Sequence, residues 1–169
     1  MEISFPKNGG DTIANTKVND SLSVTILLDG NKSGKVYYYE GKFDGKTWIT
    51  ETTLDSGLIK YTMNKNAETV LAMNKIRLQH KNGEISDTVF KTKKTELLSA
   101  HSPNTPFFIV KWGGNAKYAA VIDVLDLLQK CDVNKYALTP ISKNELMALS
   151  KITGTHYPEL DEIDTTQIH

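Results

Sequence analysis

Apolar and polar positions alternate with a period of two from Leu22, where Val24, Ile26 and Leu28 flank Thr25 and Leu27, and Asp29-Gly30 then marks a turn. Lys35 to Glu40 follows, rich in the aromatic residues that favour strands. The pair predicts a β-hairpin with its loop over Gly30 to Gly34. Lys46 to Thr50 reads as a further short strand. The period then lengthens. Asp55 or Ser56 can cap a helix carrying Leu58, Ile59, Tyr61 and Met63, and a second helix is expected from Ala67 to Lys81, stopped by Asn82-Gly83. Ser86 caps a third, with Ile85 and Phe90 at the two positions of a hydrophobic staple. Residues 67–99 therefore read as a helical hairpin, charged along its flanks, which projects from the main core or packs with one face only.

Pro106 to Trp112 is a short apolar run bounded by turn residues, the pattern of a central strand. Gly113-Gly114-Asn115 leads into an amphipathic helix with Tyr118, Val121, Val124, Leu125 and Leu128 on one stripe and Asp123 and Asp126 on the solvated side. Lys135 to Ile141 reads as a strand, and Pro140, which lacks an N–H, makes it a sheet edge or ends it there. Ser142 caps a last short helix over Glu145 to Lys151, and the acidic stretch from Pro158 reads as a disordered tail. Strands alternating with helices predict an α/β fold, a two-layer sandwich with helices on one face of a mixed β-sheet, plus the inserted helical hairpin. The expected organisation is an extended arm and linker over 1–21, a domain over 22–152 with its insertion at about 67–99, and the tail over 153–169.

Composition narrows the function classes. The chain has 169 residues with 20 Lys and Arg against 20 Asp and Glu, so it lacks the basic excess of a nucleic-acid binder, and no nucleic-acid partner is expected. No apolar run is long enough to cross a bilayer. A single cysteine, Cys131, excludes an internal disulfide and reads as a buried, inert thiol beyond the apolar helix face.

Candidate chemistry is sparse. Gly30 to Val36 has glycines one residue too close for a phosphate loop, and Val36 stands where a magnesium-holding hydroxyl would be needed. His80, His101, His156 and His169 have no companion residues at metal-ligand spacing. No catalytic, cofactor-binding or metal site is expected, and the chain reads as a binding or coupling module rather than an enzyme. The arm residues Ile3, Phe5 and Pro6 alternate like a strand with no nearby partner, and Tyr136, Ala137, Leu138 and Thr139 lie on the candidate edge strand. An edge offers unpaired N–H and C=O groups to a strand from another chain, unless the last helix covers it.

Asn115 to Asp126, continuing through Cys131 to Ile141, resembles the ExbD/TolR family of biopolymer transport proteins in the order and spacing of its Lys-Tyr helix, short polar turn and Tyr-Ala-Leu strand. Val24 to Leu27, Val36 to Gly41 and Ile3 to Lys7 add to the resemblance, which spans about residues 2–150. It implies the periplasmic domain of a single-pass inner-membrane subunit, whose transmembrane helix and proton-carrying aspartate lie outside this chain. Such subunits work as homodimers within an ExbB-like channel and use the proton-motive force to energise a TonB-like partner for outer-membrane transport. The resemblance assigns dimer and partner contacts to the strand Tyr136 to Ile141 and to the segment of Ile3, Phe5 and Pro6. The alternative within the same family is a TolR-like domain that binds peptidoglycan and anchors a motor complex to the cell wall.

Overall fold

Ser23–Leu28 (β1) is buried along all six residues; Val24, Ile26 and Leu28 enter one apolar cluster and Leu27 another on the opposite face. Exposure of 4% or less at every residue also leaves β1 no open backbone side. In this computed structural model, which describes residues 22–30, 34–100, 104–113 and 116–161, β1 is the middle of five strands. Lys35–Glu40 (β2) pairs with it antiparallel, and Phe107–Trp112 (β4) pairs on its other side, parallel. Thr50–Thr53 (β3) and Tyr136–Pro140 (β5) close the order β3-β2-β1-β4-β5.

The expected mixed α/β architecture is present. Val24, Ile26 and Leu28 share one face with Val36, Phe108 and Val110, under Ser56–Lys65 (α1) and Tyr118–Lys130 (α4). Helix α4 buries Val121, Val124, Leu127 and Leu128, each fully buried aliphatic side chain contributing about 1.5–3 kcal/mol. Tyr118, expected on that stripe, is exposed in the first turn. Lys143–Thr153 (α5) lies on the opposite face, where Leu146 and Leu149 meet Leu27, Tyr37 and Tyr39. The helices thus cover both faces, because Leu27 and the β2 tyrosines give the second face an apolar surface of its own.

Two boundaries differ from the sequence expectation. The strand expected over 46–50 is displaced to Thr50–Thr53, because Asp44 accepts from the Lys46 N–H and the Thr47 hydroxyl in a tight turn that leaves Trp48 outside at 84% exposure. The tail expected from residue 153 is folded as far as Asp161: Gly154 ends α5 in the left-handed conformation, and Tyr157 is buried with its hydroxyl donating to Asp29. Ala67–Lys81 (α2) and Asp87–Ser99 (α3) form the expected hairpin, in which Met73 is the one buried residue of α2 and α3 buries none. Asp55 caps α1 and Ser86 caps α3.

Leu149→Ala tests whether α5 belongs to the cooperative fold. Its side chain is fully buried, so the substitution should lower the unfolding free energy by about 2–5 kcal/mol in a single urea transition.

Candidate functional site

The sheet ends at β5. In the parallel ladder with β4, the Phe108 N–H donates to the Lys135 carbonyl and the Ile141 N–H donates to the Trp112 carbonyl. Odd-numbered positions of β5 therefore face β4, and strand alternation turns the N–H and C=O of Tyr136 and Leu138 outward. Among the described residues no strand pairs with that outer side. Tyr136 and Leu138 stand opposite Phe108 and Val110, on the face that α1 and α4 cover further in, and here they remain 36% and 37% exposed. Ala137 and Thr139 are half-buried on the opposite face. Pro140, the last residue of the strand, adds no donor. Helix α5 packs on the sheet's face and not alongside β5. Of the residues expected to bind partners, Tyr136, Ala137, Leu138 and Thr139 thus share this edge, while Ile3, Phe5 and Pro6 lie outside the described residues.

A buried polar network stands behind the edge. Ser142 and Glu145 form a capping box at the start of α5, the Ser142 hydroxyl accepting from the Glu145 N–H and Glu145 Oε2 accepting from the Ser142 N–H. Glu145 Oε1 takes a hydrogen bond from the Tyr39 hydroxyl and an ion pair at 2.8 Å from Lys111. Burial would raise the Glu145 pKa, but donation by Lys111, Ser142 and Tyr39 outweighs it and holds the carboxyl below its ordinary value. Tyr39 is pushed the other way, first by burial and then by its bond to Glu145. A groove of about 350 Å³ opens beside these residues, with Thr25 and Ile109 in its wall. The sequence signal for the network was the Ser142-x-x-Glu145 spacing; the contributions of Tyr39 and Lys111, on separate strands, had none.

This network fixes α5 against the sheet. Both oxygens of Glu145 already accept hydrogen bonds, so the group joins α5 to β2 and β4 and is not poised as a general acid. Cys131 is buried, and burial with the neighbouring Asp132 raises its thiol pKa, away from the nucleophilic range. His80 pairs with Asp87 and stacks on Phe90 in the hairpin, and His156 pairs with Asp161. His101 and His169 lie outside the described residues. Among the described residues no group of three His, Cys, Asp or Glu side chains could hold a metal ion, and no helix is long and apolar enough to cross a membrane.

In comparisons with known proteins, no family model, no curated protein and no solved structure matches the chain.

The Glu145 network sets a pH dependence. A carboxyl whose pKa is lower in the folded than in the unfolded chain, where it titrates near 4.5, contributes stability above that pH, and the contribution is lost as pH falls through the folded value. Glu145→Gln should cost about 2–4 kcal/mol at pH 7 by leaving Lys111 without its partner, and should flatten the loss of stability between pH 5 and pH 3 in urea titrations.

Proposed function

We propose that the chain is a binding and coupling domain rather than an enzyme, and that the β5 edge takes a strand from a second chain. The observation that carries this reading is the outward row of backbone groups at Tyr136 and Leu138, flanked by two half-exposed apolar side chains. Main-chain pairing supplies affinity in such a contact, and the alternate side chains supply selectivity. A second copy of the domain is the first partner, since one edge can pair with its own symmetry mate across a two-fold axis.

The wider reading rests on the resemblance of residues 115–141 to the ExbD/TolR family. We assign the chain as the periplasmic domain of an inner-membrane energy-coupling subunit, associated through a membrane helix with an ExbB-like channel and acting on a TonB-like protein to drive outer-membrane transport. The half-exposed edge lies within the stretch that carries the resemblance, and this agreement supports joining the two.

Leu138→Pro isolates the edge. It removes an N–H that points away from β4, so the β4–β5 ladder keeps its bonds and circular dichroism should be unchanged. Self-association in sedimentation velocity and capture by a TonB-like periplasmic domain should both weaken by at least about tenfold. Equal association by the variant and the parent chain would overturn the edge as the binding surface. Co-sedimentation with purified peptidoglycan, without capture by the TonB-like domain, would replace the coupling reading with the cell-wall anchor.

A further inference from the structure

The turn that delivers the chain from α4 into β5 carries an anomaly. The Val133 N–H donates to the Leu128 carbonyl and the Asp132 N–H to the Gln129 carbonyl, the bond pattern of a helix end that closes on a left-handed residue. That position usually holds glycine, yet here it is Asp132, at φ 57°, the one non-glycine residue with positive φ among those described. A side chain held in this region persists where its surroundings over-determine it. They do so here. Arg77, on α2, donates to both carboxylate oxygens of Asp132 at 2.9 and 2.6 Å, a two-pronged pair in which Asp132 is buried. Asn66, buried between α1 and α2, does not cap α2 with its side chain. Its amide nitrogen donates instead to the Cys131 and Asp132 carbonyls, both at 3.0 Å.

Four hydrogen bonds thus run from the α1–α2 junction and the inner hairpin helix to two consecutive residues, and β5 begins at Tyr136, four residues after Asp132. We infer that Asn66 and Arg77 are positioning residues for the edge strand: they clamp the turn before β5, so that the α2–α3 hairpin acts on the edge as a lever. A partner that moved the hairpin would change how β5 is held, and a strand added to β5 would stiffen the hairpin, since coupling between two sites is reciprocal. The inference rests on the proposed role of β5 only for what the lever is used for; the clamp itself is read from the contacts.

The test uses the full chain and amide hydrogen exchange, followed in peptides covering Lys135 to Ile141 and, as reference, Ser23 to Leu28. Arg77→Ala should speed exchange in β5 by about tenfold and leave β1 unchanged. Asp132→Gly separates positioning from ordinary stability, because glycine accepts the left-handed turn without strain. Its thermal midpoint should hold or rise while β5 exchange accelerates as in Arg77→Ala, and the double variant should go no further than either single change. Unchanged β5 exchange in Arg77→Ala, additive effects in the double variant, or acceleration spread equally over β1 would overturn the inference. Accelerated exchange confined to β5, in a chain that captures no TonB-like domain and stays monomeric at every concentration, would uphold the clamp and remove the proposed role of the edge.

Discussion

A strand buried on both faces sets the terms for everything around it. Successive residues of β1 point to opposite faces and all are buried, and its backbone must pair left and right, so the chain needs cover on two faces and neighbours on two sides. The antiparallel neighbour arrives at once through the hairpin to β2, and the parallel one, β4, only after a long excursion. Helices α1 and α4 cover the face of Ile26, and α5 with Tyr157 covers that of Leu27. Cover thins toward the sheet's end, where Tyr136 and Leu138 continue the apolar row of Phe108 and Val110 with less above them. The edge thus follows from where the covering helices stop.

The polar interactions that matter most join elements distant in the chain. Glu145 links α5 to Tyr39 and Lys111, and the pair of Arg77 with Asp132 links the hairpin to the turn before β5. Both involve a buried carboxylate whose charge is compensated by a cation on another element, an arrangement that specifies a relative placement more strongly than it adds stability. Asp132 adds backbone strain to that requirement. Its geometry is held from outside its own segment, whereas Gly154, which ends α5 in the same left-handed conformation, needs no such support.

Much of the fold was legible because its signals are local. The alternation of Val24, Ile26 and Leu28, the caps at Asp55, Ser86 and Ser142, and the stripe of Val121, Val124 and Leu128 each lie within one or two turns of chain. Pro140 marked β5 as an edge strand or as ending there, for a reason that needs no tertiary context. The strand at Trp48 was misplaced because its β-favouring residues were outweighed by the Asp44–Thr47 turn, whose hydrogen bonds involve only nearby groups. The cover of the second face, where α5 packs on Leu27, Tyr37 and Tyr39, was missed, since the sequence expectation put the helices on one face. Illegible altogether were the pairings across long separations: β1 with β4, and Arg77 with Asp132, 55 residues apart.

The parallel pairing of β1 with β4 also orders events in time. The two strands are separated by roughly 80 residues, while β1 and β2 are joined by a short loop. Closing the long loop costs chain entropy before any contact between β1 and β4 rewards it, so a folding chain assembles the β1–β2 hairpin and the helical excursion first and docks β4 late. The same entropy favours β4 with β5, only roughly 25 residues apart across α4, ahead of β4 with β1. The surface proposed to receive a partner therefore belongs to a local β4–α4–β5 unit, and until that unit docks on β1 the other side of β4 stands open as a second unpaired edge.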